Sequence, residues 1–370
     1  MHKCRRGVHT RTMSAETFFQ GERLLQAGEL AAAEAAFRDL VDAMPGHVAA
    51  WRCYAETLQR QGRIDETIAA TRRANSVEAD HISEIGAFLL FHGDHARAET
   101  CFERALSLDP DCLSAHWLLG ELHSRHDARD RALTHYRRCL EIAPDRTGPA
   151  YMIAALGAED SPERAPDDYV TAFFDWYADH FDAHLTQRLN YTGPDQVADA
   201  LRACRPNEVE HALDLGCGTG LAGVAARDLA RHWTGVDLSP AMLARANSTG
   251  VYDRLIEGDL LTVLRELPDG SIDAALAADV FVYIGALDQL FAEVSRVLVP
   301  AGVFVATFET APPEVTWELC ESGRYRHGEA YLRRVAADAG LGQLSVSART
   351  LREEYGEPVA SLLATFTRTS

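Results

Sequence analysis

Through the first 146 residues the apolar and small positions recur with a long period. Gly28, Gly62, Gly93 and Asp127 share one frame, at spacings of 34, 31 and 34. Ala33, Thr67, Ala98 and Ala132 follow by five positions, and Phe37, Thr71, Phe102 and Tyr136 by nine. Pro45, Pro110 and Pro144 close three of the four units. Such a period predicts helix pairs that bury their apolar faces only by stacking on one another. Small residues let the paired helices approach, the aromatic ring fills the gap, and proline ends the second helix by removing a donor. The second unit fits least well, with Thr67 and Ala79 where alanine and proline stand elsewhere, so looser packing is expected there.

Beyond these units the pattern shortens. Residues 148–168 are polar in their second half and carry Pro162 and Pro166, which reads as a linker. Apolar residues at 173, 174, 177, 181 and 185 then follow helix spacing. Apolar runs at 212–216, 233–238, 255–259, 272–279 and 303–309 read as strands separated by helices, the signature of a doubly wound parallel sheet. Two more runs, 345–354 and 360–368, flank Tyr355-Gly356-Glu357-Pro358 and predict a closing antiparallel hairpin. The organisation expected is a disordered 1–13, four repeats over 14–147, a linker over 148–168 and an α/β domain over 169–370.

The densest chemistry lies at the first strand end, Asp214-Leu-Gly216-Cys217-Gly218-Thr-Gly220, with Asp237 ending the second strand. Alternate glycines let a backbone turn approach a ligand, and a carboxylate after the next strand is placed to accept ribose hydroxyls. Gly218-Thr-Gly220-Leu-Ala-Gly223 also spells the dinucleotide fingerprint, but two residues late for this strand. An acidic Asp214 before the turn disfavours a pyrophosphate and suits a cationic sulfonium nucleoside.

This series, continued by Asp237-Leu238-Ser-Pro-Ala-Met242 and Glu257-Gly-Asp259-Leu260, resembles the class I S-adenosylmethionine-dependent methyltransferases. The N-terminal units resemble tetratricopeptide repeats. The first resemblance implies a Rossmann-like seven-stranded sheet with its last strand antiparallel. It also implies that Gly216, Cys217, Gly218 and Gly220 line the methionine part of the donor and that Asp237 binds the ribose. Leu238, Met242, Asp259 and Leu260 would surround the adenine. Asp214 and Asp279 lie on the same sheet edge. The helix after 169 resembles a lid over the donor, with Tyr177 touching it.

After the fourth strand, Ala277-Ala-Asp279-Val-Phe-Val-Tyr283 lacks the Asn/Asp-Pro-Pro-Tyr motif, which disfavours amide or base amines as acceptors. Candidates for catalysis are Tyr283 and His327. Candidates for acceptor contact are His184, Arg324, Tyr325 and Arg326, the arginines suiting an acidic or hydroxylated substrate. The function expected is methyl transfer to a small molecule or to a peptide- or carrier-bound metabolite, with O-methylation preferred. An inactive interaction scaffold, or N-methylation of a protein recruited by the repeats, remains the alternative.

Composition narrows the partners. A formal charge of −19 over 370 residues argues against nucleic acid as the main partner. No apolar run reaches membrane-spanning length, and the start of the chain lacks the apolar stretch of a signal peptide. The eight cysteines form no C-x-x-C pair, which suits reduced thiols in a cytoplasm and gives no metal site. The repeats leave a protein partner in their groove, or a homodimer, as open readings.

Overall fold

The structure, a computed structural model, describes residues 2–178, 181–182, 185, 190–205, 207–354 and 357–369. It forms two compact units, one ending at Arg146 and the other beginning at Thr147.

The first unit consists of α1 (His2–Ala27), α2 (Leu30–Ala43), α3 (Val48–Arg60), α4 (Ile64–Phe91), α5 (His95–Leu108), α6 (Leu113–Arg125) and α7 (Arg129–Ile142). Helix α1 begins at His2. The frame positions are where a helix stops. Gly28, Gly62, Gly93 and Asp127 all have positive φ. The following amides of Glu29, Arg63, Asp94 and Ala128 reach back to the carbonyls of Leu24, Leu58, Leu89 and His123. This left-handed cap satisfies helix-end carbonyls and turns the chain back.

Phe37, Phe102 and Tyr136 are fully buried, each against a helical glycine. A Cβ on Gly21, Gly86 or Gly120 would sit 2.8, 2.4 or 2.5 Å from the facing ring. The second repeat has Ala55 and an exposed Thr71 at these places, and it departs further than looser packing. With no proline at 79 and only helix-competent residues from Ala70 to Ile85, its second helix runs on into the next repeat as the 28-residue α4. Trp117 packs on the Tyr136 ring at 5.3 Å, while Arg52 pairs with Glu78.

The second unit starts earlier than expected. Helix α8 (Thr147–Ala155) has seven of its nine residues buried. The strand-like strap after it is bound at several points. Tyr325 donates to the Pro162 carbonyl at 2.7 Å, Gly285 N–H to Glu163 O at 2.8 Å, and Ala165 N–H to Tyr283 O at 2.9 Å. Residues 148–168 are therefore part of the packed unit and not a linker. Polarity misled here because much of the strap's attachment is through its backbone, with Arg164 adding an ion pair to Asp259.

Next come α9 (Asp167–Tyr177), α10 (Gly193–Cys204), β1 (Val209–Leu215), α11 (Leu221–Ala225), β2 (Ala230–Asp237), α12 (Pro240–Ser248), β3 (Arg254–Glu257), α13 (Leu260–Glu266) and β4 (Ile272–Ala277). They are followed by α14 (Asp288–Val297), β5 (Leu298–Glu309), β6 (Trp317–Leu319), β7 (Tyr325–His327), α15 (Glu329–Asp338), β8 (Leu341–Glu354) and β9 (Glu357–Arg368). The sheet order is β3-β2-β1-β4-β5-β9-β8, with β9 antiparallel to both neighbours and the first five strands parallel. This is the Rossmann-like sheet expected. The Ala212–Leu215 half of β1 and most of β4 are buried on both faces, as central parallel strands are. Phe281, Phe291, Phe304, Phe308 and Phe366 fill one face. The chain leaves β1 in one direction and returns at β4 in the other, so a crevice opens at their carboxyl ends. After β5 the chain forms the two-stranded β6–β7 hairpin.

Candidate donor and acceptor site

The turn after β1 is built for close approach. Gly216, Gly218 and Gly220 all take positive φ, at 66°, 53° and 95°, a region that L side chains avoid. A Cβ on Gly216 would also lie 2.6 Å from Val280. Gly218 instead faces room, its nearest neighbour being Phe181 at 4.0 Å. Cys217 turns inward and donates its amide to Val236 O at 2.9 Å, and burial pushes its thiol pKa up.

Asp214 does not open onto that turn. It is buried, and Tyr252 donates to its Oδ2 at 2.6 Å. The Tyr252 side chain crowds three glycines: a Cβ on Gly220, Gly223 or Gly235 would stand 3.1, 2.3 or 3.0 Å from it, and Gly235 also faces Leu255 at 2.8 Å and Cys217 Sγ at 2.9 Å. Gly223, which completes the dinucleotide spelling, thus makes room for a tyrosine. Asp214 braces the turn from behind, and the charge contrast drawn from it at the sequence level gives way to this packing role. Tyr252 carries no motif, and only the cluster of glycines around it hinted at a large neighbour.

Burial lifts the Asp214 carboxyl from 3.8 to about 7, against the opposing Tyr252 hydrogen bond. The fold therefore keeps a proton that the unfolded chain releases. The stability this lends is complete below about pH 4 and is lost as pH rises to about 7. Asp214→Asn preserves an acceptor for Tyr252 and cannot ionise. Its melting temperature is expected to fall less between pH 5 and pH 8 than that of the wild type, measured by thermal unfolding at both pH values. Equal falls would place the ionisation elsewhere.

Asp237 occupies the end of β2. Its Oδ2 accepts Gly218 N–H at 2.8 Å and its Oδ1 accepts Ser239 N–H at 2.9 Å. Burial raises its pKa, and those amides oppose the rise. Each oxygen retains a second lone-pair direction for an incoming hydroxyl. Ser239 caps α12 by accepting Met242 N–H at 3.1 Å. Leu238 is half-buried beside it, and Met242 and Leu260 are buried. Asp259 caps α13 through Thr262 N–H at 3.0 Å and pairs with Arg164 at 2.8 Å, so its side chain is already engaged.

Helix α9 lies over this edge. Asp175 accepts Ser239 Oγ at 2.6 Å and Ala241 N–H at 3.3 Å, and Asp182 accepts Thr219 Oγ1 at 2.5 Å. Tyr177 is buried against Phe173 and Phe181, and Phe174 meets the Tyr283 ring edge-on at 5.5 Å.

Beyond the turn, the far side of the crevice is ionic. Asp279 holds φ at 62°, with its amide on Thr307 Oγ1 at 2.8 Å. Buried Arg352, from β8, pairs with both Asp279 and the buried Glu309. Arg324 Nε lies 3.0 Å and Arg326 Nε 3.8 Å from Glu309. Tyr283 stands beside this cluster, and burial raises its hydroxyl to about 12. Arg352 and Glu309 escaped sequence reasoning, although a carboxylate ending the apolar run Val303–Phe308 signals a buried cation.

Two candidates are corrected. His327 is completely buried, with Nε2 2.9 Å from Ile284 O and 3.1 Å from Gly285 O. Carbonyls only accept, so the proton sits on Nε2. Burial lowers the ring's pKa to about 4, and it remains a neutral clamp inside the hairpin base. Tyr325 is likewise fully buried on the strap and does not face a substrate. His184 lies outside the described residues.

Residues 213–306 match the family described as a methyltransferase domain. The second unit thus contains a methyltransferase domain segment. Residues 20–76 and 89–147 match tetratricopeptide repeats, and the gap between them falls within α4. The chain is 31% identical over 145 residues to malonyl-(acyl-carrier protein) O-methyltransferase of Serratia marcescens, covering 39% of this chain and 54% of that one. It is 29% identical over 140 residues to a sterol 24-C-methyltransferase of Gibberella zeae, covering 35% and 33%. The chain spans about half or less of the length of these curated relatives. A solved S-adenosylmethionine-dependent methyltransferase from Mesorhizobium loti shares 26% identity, with a TM-score of 0.39, over 48% of this chain and 100% of that one.

Proposed function

We propose that the methyltransferase domain transfers a methyl group from S-adenosylmethionine to a small or carrier-bound acceptor, with a carboxylate or other acidic oxygen favoured. The observation that carries the reading is Asp237, held at the strand end by two backbone amides with lone pairs left for a ribose. The residues present fit the donor. Gly216, Gly218 and Gly220 would admit its methionine part, Asp237 would accept its ribose hydroxyls, and Leu238, Met242 and Leu260 would flank its adenine. Bound there, S-adenosylmethionine supplies an electrophilic methyl whose thioether leaving group needs no acid.

The chain's own task is then to hold the acceptor in line and keep water out. Helix α9 supplies the cover, through Tyr177 and Phe174. Proton removal is the weaker part of this site: His327 is clamped on carbonyls, and the Tyr283 hydroxyl stays protonated at neutral pH. An acceptor already ionised needs no base, which supports an oxygen acid, with Arg324 and Arg326 drawing it in. The acceptors named for the two relatives are methylated at oxygen and at carbon, so resemblance alone leaves the atom open.

Isothermal titration of the full chain tests the donor assignment. S-Adenosylhomocysteine is expected to bind and NADH to leave no heat of binding. Binding of NADH in its place would return the turn to the dinucleotide reading.

A further inference from the structure

Four large apolar side chains on α4 stand in water: Ile64, Ile68, Ile85 and Phe88 are 60%, 46%, 56% and 61% exposed. Their places in the repeat frame show what they are for. Counting from the cap residues, Ile85 and Phe88 correspond to Leu119 and Leu122 in the fourth repeat and to Tyr54 and Thr57 in the second. Leu119 and Leu122 are buried against Ala98, Phe102 and Ala105 of the preceding α5. Tyr54 packs on Ala33 and Phe37 of the preceding α2. Ile64 corresponds to Leu30, which joins that same cluster. Ile68 corresponds to Glu34, whose carboxylate meets Gln61 at 2.9 Å and Arg63 at 2.7 Å across the turn.

The exposed residues are thus the two halves of the contact that each regular repeat makes with the next. Elsewhere a turn folds those halves together. In α4 there is no turn, and the halves lie at opposite ends of one rod, about 40 Å long at 1.5 Å per residue. A straight helix cannot close on itself.

We infer that the missing contact is made by a second copy of this chain, as an exchanged dimer through α4. Two α4 helices running antiparallel about Ser76 set Ile64 opposite Phe88 and Ile68 within one residue of Ile85, since the two pairs centre half a residue apart. The two-fold makes each contact twice, as an isologous interface requires. On a supercoiled helix the two patches fall on one seam, with Thr71 and Glu78 between them. Ile64 and Ile85 are three heptads apart, and Ile68 and Phe88 flank the same seam at a 3.5-residue period. Removing a hinge turn is the usual route to such an exchange. The partner is this chain because the two patches complete one another.

Light scattering after gel filtration tests the inference on the full chain, whose mass is 40.7 kDa. A particle of twice that mass is expected at micromolar concentration. Ile64→Glu and Phe88→Glu, one on each patch, should each weaken the dimer by at least about thirtyfold, the loss of one central anchor. Their helix content should be retained, because both positions are exposed. Ala79→Pro restores the residue found at Pro45, Pro110 and Pro144, and is expected to give a monomer whose α4 folds back on itself. A wild-type monomer overturns the inference. So does a dimer indifferent to both glutamates, or one that survives in a folded Ala79→Pro protein.

Discussion

Replacing Asp237 with asparagine is expected to weaken S-adenosylhomocysteine binding at least tenfold, and replacing it with alanine to weaken it further. Two charge-assisted hydrogen bonds to ribose hydroxyls are worth about 1.5–3 kcal/mol each. Asparagine keeps one acceptor oxygen and loses the charge. The two variants separate binding from scaffolding. Asp237 also accepts Gly218 N–H and Ser239 N–H. Alanine leaves both amides without their acceptor, at a cost of about 1–3 kcal/mol for a buried group. The melting temperature without ligand should therefore drop for alanine, and by less for asparagine, which keeps an acceptor for one of the two amides, while both lose affinity in calorimetry. An asparagine variant that binds like the wild type would remove Asp237 from the donor site.

The largest stability effect is expected at Arg352. Its guanidinium lies between Asp279 and Glu309, and Arg352→Ala leaves the buried Glu309 facing a second carboxylate. Breaking one partner out of a buried ion pair typically costs about 3–5 kcal/mol. Arg324, 3.0 Å from the same carboxylate, offsets part of this and sets the expectation at the lower end. For a unit of this size a loss of 3 kcal/mol lowers the melting temperature by roughly 6–12 °C. Adding Glu309→Gln removes the stranded charge and should recover a large share of the loss. If the double variant melted no higher than Arg352→Ala, the arginine's contribution would be packing and not charge.

Arg352 and Tyr252 mark the limit of what the chain reveals in one dimension. Arg352 sits on β8, 43 residues from Glu309 and 73 from Asp279. Tyr252 lies 38 residues from Asp214. Nothing in the spacing of either announces its partner, because the contact depends on which strands become neighbours. His327 failed for a related reason. A histidine in a polar insert looks available until the hairpin closes over it and its Nε2–H is spent on two carbonyls.

What the sequence alone determined was local. Left-handed caps at Gly28, Gly62, Gly93 and Asp127, the glycine turn from Gly216 to Gly220, and the alternation of strands and helices each follow from a few adjacent residues. Steric limits on φ and the periods of helix and strand act at that range. Even the fused α4 was foreshadowed by Ala79 standing where proline ends the other units. The tertiary structure decided everything that needs distant groups to share a dielectric: that Asp214 turns inward to Tyr252, that the strap over 157–166 binds through its backbone, and that three arginines gather on Glu309. A buried charge or an unpaired amide is costly wherever it arises. The fold chooses the partner that removes the cost, and that partner lies as far along the chain as the topology places it.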